Sequence, residues 1–319
     1  MRGRTGAARY DRRSVPPPPY AVLTSARSTL RFFLGDCLQV MPALPPASMD
    51  VIVTSPPYNL GIPYRSYADR LPRERYLHWT GDWVAAAARW LGSDGSMFLN
   101  VGAKPTDPWT AIDIALAARP HLHLQNTLHW IKSIAIDREA AGAAAGLQRD
   151  LAVGHYKPIN SRRFVNDCHE FVFHFSRSGR VELDRLALGV AYQDQSNVTR
   201  WRAAGGGTRC RGNTWFMPYD TIQSRDKDRP HPATFPVQLP EYCLRLHGLR
   251  RVRQVADPFA GLGSTAVCCA QLGLDFVGIE LDEGYLKEAI ERTRAALSGS
   301  GSTRGGARRR RLGDRPGTA

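Results

Sequence analysis

A short β-branched and apolar run, 49–54 (Met-Asp-Val-Ile-Val-Thr), and a second segment that reads as a buried strand, 252–256 (Val-Arg-Gln-Val-Ala), break off abruptly into turns rich in proline or glycine. A strand with one wet face alternates apolar and polar residues, whereas a nearly continuous apolar strand has to be covered on both faces. That means the interior of a parallel sheet between two layers of helix. The flanking segments agree. Residues 76–91 have helical apolar spacing and 96–101 read as the next strand. After the second run, a helix through about Leu272 leads to a strand at 276–279 that closes on Glu280-Leu281-Asp282. An earlier strand, 30–34, runs into Gly35-Asp36-Cys37. The expected fold is α/β, an open, doubly wound, Rossmann-like sheet.

At 319 residues, with 43% hydrophobic and 23% charged residues, the chain has the composition of a globular protein with a sizeable core. No apolar run reaches the roughly 18–20 residues of a membrane-spanning helix, and the arginines near the N-terminus lack the apolar stretch of a secretory signal. The expected location is the cytosol, without a membrane partner. Six cysteines, at 37, 168, 210, 243, 268 and 269, form no CxxC pair and no Cys/His spacing that suits zinc, so no metal is expected.

Formal net charge is +14, and residues 1–28 and 298–319 each carry six arginines against one aspartate. Most of the excess is therefore in two Gly-, Pro- and Ser-rich tails, expected to be disordered basic arms. They suit either salt-sensitive attraction to phosphates or simple solubilisation. Folding is expected to begin near Thr29, with residues 29–176 and 231–297 as two halves of one domain. Residues 177–230 break the α/β rhythm: they are rich in Arg and Gly and carry Trp201, Trp215, Phe216 and Tyr219, as an inserted recognition region would. Within it, Arg202, Asn213 and Trp215 offer guanidinium, amide and stacking groups suited to reading bases, or equally to packing the region on the rest. Arg162 and Arg163, near Lys157, can meet phosphates. His169-Glu170 places neighbours on opposite faces of a strand, which reads as strand rather than as a metal pair.

The turn after the second run is Asp257-Pro258-Phe259-Ala260-Gly261-Leu262-Gly263-Ser264-Thr265. Glycines there let the backbone approach a ligand, the helix that begins at Ser264 and Thr265 offers unpaired N–H groups, and Glu280 at the next strand end can accept from a ribose diol. With Ala266 at the third glycine position, a dinucleotide fold remains compatible. Asp257 argues the other way. A carboxylate there repels a pyrophosphate and suits a cationic cofactor with an α-amino group and a sulfonium, such as S-adenosylmethionine.

The turn after the first run is Ser55-Pro56-Pro57-Tyr58-Asn59. Two prolines fix φ and remove two donors, so the turn presents acceptors, the Ser55 hydroxyl and the Pro56 carbonyl, beside the Tyr58 ring. The exocyclic amine of a nucleobase is a poor nucleophile because its lone pair is delocalised. Two acceptors holding both amine hydrogens favour a tetrahedral nitrogen that can attack a methyl group, and the base has to leave the duplex to reach them.

These motifs resemble those of the amino-group DNA methyltransferases: 54–59 their catalytic motif, 257–263 their cofactor motif, with Gly35-Asp36-Cys37-Leu38, 231–236 and 278–282 also matching. The order, catalytic motif first and cofactor motif last, resembles the circularly permuted β-class. The resemblance covers about residues 30–295. It implies that Ser55, Pro56, Pro57 and Tyr58 handle the target base, and that Asp257, Phe259, Gly261 and Gly263 hold the methionine end of S-adenosylmethionine. Glu280 takes the ribose, Asp36 the adenine amine, and 231–236 closes the far side. Serine at the first position goes with cytosine N4 in that family, and Asp or Asn with adenine N6. The implied partner is double-stranded DNA in a bacterial or archaeal cytosol; a cognate restriction endonuclease and a homodimer stay open. Rival readings are adenine N6 methylation, a non-catalytic nucleic-acid-binding module and a nicotinamide-dependent oxidoreductase.

Overall fold

A computed structural model describes residues 16–154, 161–192, 207–218 and 234–299. Its strands in chain order are β1 (Ala21–Thr24), β2 (Thr29–Leu34), β3 (Met49–Thr54), β4 (Leu91–Val101), β5 (His123–Ile131), β6 (Ile134–Ile136), β7 (Leu151–Val153), β8 (His169–Ser176), β9 (Val190–Ala191), β10 (Thr208–Arg209), β11 (Thr214–Phe216), β12 (Gln254–Asp257) and β13 (Asp275–Glu280). The helices are α1 (Cys37–Ala43), α2 (Arg73–Trp90), α3 (Trp109–Ala118), α4 (Arg138–Ala141), α5 (Gln238–His247), α6 (Ser264–Leu272) and α7 (Glu283–Gly299). Nine strands make one sheet in the order β1-β2-β13-β12-β3-β4-β8-β5-β11.

The apolar strands are covered on both faces, as their sequences require. Along β3, Val51 and Val53 face one core and Ile52 the other; along β13, Phe276 faces the first and Val277 and Ile279 the second. The first core is completed by α5, α6 and α7, the second by α1, α2 and α3. This three-layer arrangement fulfils the expected fold class. From β2 through β13, β12 and β3 to β4 all neighbours are parallel. From β12 the chain crosses through α6 to β13 on one side; from β3 it crosses through α2 to β4 on the other. Neighbours β12 and β3 therefore flank the topological switch point, and the crevice beyond their carboxyl ends is where such a sheet binds ligands.

β8 runs antiparallel between β4 and β5. Its beginning, His169 and Glu170, thus lies at the same sheet edge as the ends of the parallel strands.

Three expectations are corrected. Folding begins before Thr29: β1 pairs antiparallel with β2, and the intervening turn is closed by Ser25 N–H donating to the Ser28 carbonyl at 2.9 Å. The short run 21–24 forms an edge strand because β2 offers it an unpaired ladder. The C-terminal helix continues to Gly299, past the expected boundary at 297, whereas residues 300–319 lie outside the described residues. The 177–230 region is in part built into the main fold: Leu188, Trp215 and Met217 belong to the first core, and β11 lies beside β5 in the main sheet. Trp201, Arg202 and Tyr219 lie outside the described residues.

One polar cluster is buried in the sheet. Ser96 Oγ lies 2.9 Å from both His174 Nε2 and His247 Nδ1, and Asn126 Nδ2 is 3.0 Å from His174 Nδ1. Burial lowers both imidazoles, His174 to about 3 and His247 to about 4. Since the unfolded chain protonates first, near pH 6.5, the stability from keeping these rings neutral is complete above that pH and is lost as pH falls toward 4 and 3. Between pH 7 and 5 this pair is expected to cost the fold on the order of 2–4 kcal/mol. Thermal unfolding followed over that range checks it, with a shallower slope expected for His174→Asn.

Candidate active site

At the carboxyl ends of β2, β3, β12 and β13 lies a cleft with an empty volume of ≈ 1050 Å³. Ser55, Pro56, Pro57 and Tyr58 form one end of its lining, while Gly35, Asp36 and Glu280 belong to the part beyond β2 and β13. Its lining contains the carboxylates Asp36, Glu280 and Asp282 and no Lys or Arg. A chamber with three carboxylates and no cation among the described residues attracts a cationic ligand and repels a pyrophosphate. This charge balance disfavours the nicotinamide reading, whose pyrophosphate it would repel.

Each carboxylate is held by the fold. Glu280 accepts the Gly261 N–H at 2.8 Å on one oxygen and the Asp282 N–H at 2.9 Å on the other. Each oxygen keeps lone-pair capacity toward the cleft. Burial raises its pKa against the pull of these backbone donors. Asp36 caps α1, accepting the Leu38 N–H at 2.9 Å, which fixes it at the cleft wall. Asp282 accepts the Ser66 hydroxyl at 2.6 Å, tying the loop after the 55–58 turn to the far wall.

That loop, 59–71, is organised around Asp69, whose carboxylate accepts the N–H groups of Asn59, Leu60 and Ile62. It delivers Tyr64 and Tyr67 to the cleft, where Tyr67 meets Trp79 at 5.7 Å between ring centroids. Phe259, from the glycine loop, packs edge-on against Trp79 and Trp83 at 5.7 and 5.2 Å. An aromatic wall thus joins the two halves of the chain. Thr234 and Phe235 line the cleft before α5, and the Ser264 hydroxyl donates to the Phe235 carbonyl at 2.8 Å.

At the Ser55 end, the Tyr76 hydroxyl donates to the Pro57 carbonyl at 2.8 Å. Ser55 Oγ and Tyr58 Oη are 2.6 Å apart. Asn100 Nδ2 donates to Tyr58 Oη at 2.8 Å and to Glu170 Oε2 at 2.7 Å, and Lys132 Nζ donates to Glu170 Oε1 at 3.0 Å. The strand order puts these residues in a row. Thr54 is paired with Leu99, so Ser55 falls opposite Asn100; Glu170 and Lys132 follow on β8 and just beyond β5.

Residues 49–291 match the family described as DNA methylase, of N6/N4 type. The chain belongs to this family. It is a site-specific DNA methyltransferase whose relatives use S-adenosylmethionine. It is 26% identical over 279 residues to the type II methyltransferase M.ScaI of Streptomyces caespitosus, covering 84% of this chain and 82% of that protein. It is 29% identical to M.Cfr9I of Citrobacter freundii over 279 residues, covering 82% and 86% respectively. Among solved structures, the PvuII DNA methyltransferase described as cytosine-N4-specific has the same fold, with a TM-score of 0.57 at 16% identity, over 85% of this chain and 91% of that one. A Thermus thermophilus protein solved in complex with S-adenosyl-L-methionine aligns with a TM-score of 0.53 at 22% identity, over 84% of this chain and 96% of that one.

The donor set of the methyltransferase fits this cofactor: a pair of carboxylate oxygens at Glu280, acidic groups for a cationic ligand and an aromatic wall. Some sequence-derived assignments need revision. Asp257 is 0% exposed and does not face the cleft. It accepts the Thr54 hydroxyl at 2.7 Å, the Thr265 hydroxyl at 3.0 Å and the Phe259 N–H at 3.1 Å, so it anchors the loop from beneath. Burial pushes its carboxyl up to about 7. Its contribution to the stability of the free protein is greatest when protonated and is lost as pH rises through 7. Thr265 is likewise engaged by Asp257. Gly263 lies away from the cleft: its φ is +73°, and a Cβ there would sit 2.9 Å from Ala289 Cβ, so its absence lets α6 start against α7.

Of the DNA-contact candidates, Trp215 is 1% exposed and edge-on to Tyr242 at 5.6 Å, so the indole is core and unavailable for stacking. Asn213 donates to the Thr127 carbonyl at 2.9 Å, which holds β11 on β5. Arg162 and Arg163 are exposed and outside the cleft lining; Arg163 lies over the Phe164 ring. Asn100, Lys132 and Glu170 were missed. Asn100 sits inside an apolar strand, and Glu170 reads as one half of a His-Glu pair whose neighbour points away.

Proposed function

We propose that the chain transfers the methyl group of S-adenosylmethionine to the exocyclic N4 amine of a cytosine flipped out of double-stranded DNA. One juxtaposition carries the reading: the acceptor-rich turn Ser55–Tyr58 lines the same cleft as the carboxylates that suit a sulfonium ligand. The cofactor, when bound, supplies an electrophilic methyl on sulfur. Glu280 would hold the ribose hydroxyls and Asp36 the adenine amine, while Phe259, Gly261 and Ser264 form the wall around the methionine end. The Tyr76 hydroxyl holds the Pro57 carbonyl, and Ser55 Oγ and the Pro56 carbonyl are the acceptors for the two amine hydrogens in this reading. Holding both hydrogens pyramidalises the nitrogen and localises its lone pair. Tyr58, its hydroxyl fixed by Asn100, presents a rigid ring to the base.

Serine in the first position of the turn is the feature that favours cytosine over adenine. The catalytic turn at 55–58 precedes the glycine loop at 257–265, the order of the permuted β-class. Double-stranded DNA is the substrate in this reading, with the cytosol as its setting; among the described residues no helix is long and apolar enough to cross a membrane. A cognate restriction endonuclease and a homodimer accord with the type II relatives and with the β-class respectively.

The test is incubation of the full chain with S-adenosylmethionine and unmethylated genomic DNA, followed by digestion to nucleosides and mass spectrometry. N4-methylcytosine is the expected product. N6-methyladenine would retain the mechanism and overturn the serine argument, and absence of any methylated base would overturn the assignment.

A further inference from the structure

Among the described residues Glu170 is the carboxylate hydrogen-bonded to the 55–58 turn, through Tyr58, and nothing in the reaction above employs it. Its two oxygens are met by donors: Lys132 Nζ at 3.0 Å on one, Asn100 Nδ2 at 2.7 Å on the other, with Tyr58 Oη 3.3 Å from the latter. Asn100 Nδ2 also donates to Tyr58 Oη, so the phenol oxygen accepts there and its own proton has two destinations, Ser55 Oγ or Glu170 Oε2. An ionised carboxylate is the stronger acceptor. With the phenol proton on Glu170, Ser55 donates to Tyr58 and turns its lone pairs to the cleft. The surroundings make room for this line: a Cβ on Gly102 would lie 3.3 Å from both Tyr58 Cε2 and Glu170 Cγ.

We propose that Glu170 is a positioning residue that sets the direction of the hydroxyl chain Ser55–Tyr58–Glu170, making Ser55 an acceptor for the target amine and receiving the proton that the amine releases. The proposal rests on the methyl-transfer reading above. Once the amine lone pair has formed the N–C bond, and the electron pair of the broken C–S bond has stayed on sulfur, the nitrogen carries one surplus proton. That proton passes to Ser55 Oγ as the serine proton moves to Tyr58 Oη and the phenol proton to Glu170 Oε2. Both hydroxyls are regenerated, the methylamino group is neutral, and the carboxylic acid returns its proton to solvent between turnovers.

The experiment compares wild type, Glu170→Gln, Tyr58→Phe and the double variant. Tritium-labelled S-adenosylmethionine and unmethylated genomic DNA are used under single-turnover conditions, with cofactor affinity measured by calorimetry. Loss of a positioned proton acceptor is expected to slow methylation by about 10²–10⁴-fold in Glu170→Gln. Cofactor affinity should change by less than about threefold, because Glu170 is outside the cofactor-facing wall. Tyr58→Phe keeps the ring and interrupts the chain, so it serves even if Glu170→Gln leaves Lys132 unpaired and lowers folding stability. The double variant is expected to be no slower than the worse single one, as for two links of one relay. Turnover of Glu170→Gln near the wild-type rate, or losses that multiply in the double variant, would overturn the relay while leaving the methyltransferase reading intact. No methylation by wild type would overturn that reading and the relay with it.

Discussion

Ser55→Ala is expected to lower the methylation rate by about 10²–10³-fold, the effect of deleting one preorganised hydrogen-bonding group that acts on charge developing in the transition state. Cofactor affinity is expected to stay within about threefold of wild type, since the proposed reading puts Ser55 at the target base and gives Glu280 and Asp36 to the cofactor. The size follows from what the hydroxyl does. In the ground state the amine is planar and weakly basic, and an acceptor gains little from it. As the nitrogen turns tetrahedral and positive, its hydrogens become strong donors, and the bond to Ser55 Oγ strengthens where it matters for rate. The alternative is that the serine merely supports Tyr58, 2.6 Å away. Alanine would then free the ring and weaken DNA binding, which appears as a raised KM at unchanged kcat. A fall in kcat at unchanged KM separates the two, and full turnover by Ser55→Ala would remove the turn from the mechanism.

The parts of this fold that were legible from sequence are those where one local pattern has one physical solution. The apolar run 49–54 becomes β3 residue for residue, and the run toward 256 becomes β12, because only a doubly covered strand tolerates such composition. The turns that follow were legible as chemistry because proline and glycine restrict what a backbone can present. What escaped depends on pairing between distant segments. Strand β1 forms only because β2 exposes a free edge, and nothing within residues 21–24 specifies a partner. Glu170 gains its place from β8 running backwards between β4 and β5, a topological fact invisible in the His-Glu dipeptide. The sequence puts Asp257 at the head of the glycine loop but does not show on which side of that loop its carboxylate lies. Sequence shows an acid before glycines, whereas only packing shows Thr54 and Thr265 beneath, taking both of its oxygens. For Trp215 the sequence leaves base reading and packing equally open, and the docking of β11 beside β5 decides for packing by burying the indole.

Glu280→Ala is expected to weaken S-adenosylmethionine binding by about 10²–10⁴-fold, measured by calorimetry on the full chain without DNA. Hydrogen bonds to a charged acceptor contribute about 1.5–3 kcal/mol each, and in the proposed reading a ribose diol makes two of them with this carboxylate, with tenfold in affinity for each 1.4 kcal/mol. A second consequence arises inside the protein. The same oxygens accept the Gly261 and Asp282 N–H groups, so alanine leaves two backbone donors unpaired at the glycine loop and at the end of β13. A stability loss of about 1–3 kcal/mol should accompany the binding defect, visible as a lower Tm in the free protein. Glu280→Gln separates the two: its carbonyl oxygen still accepts one backbone donor, but its amide faces the other, so it should bind the cofactor with intermediate affinity. Burial raises the Glu280 pKa above the ordinary glutamate value, and the acceptor role belongs to the ionised form. Cofactor affinity in the wild type should therefore fall as pH is lowered through that raised pKa, and this dependence should vanish in Glu280→Gln. Wild-type affinity in Glu280→Ala would mean that the ribose is held elsewhere and that the carboxylate serves only to close the loop.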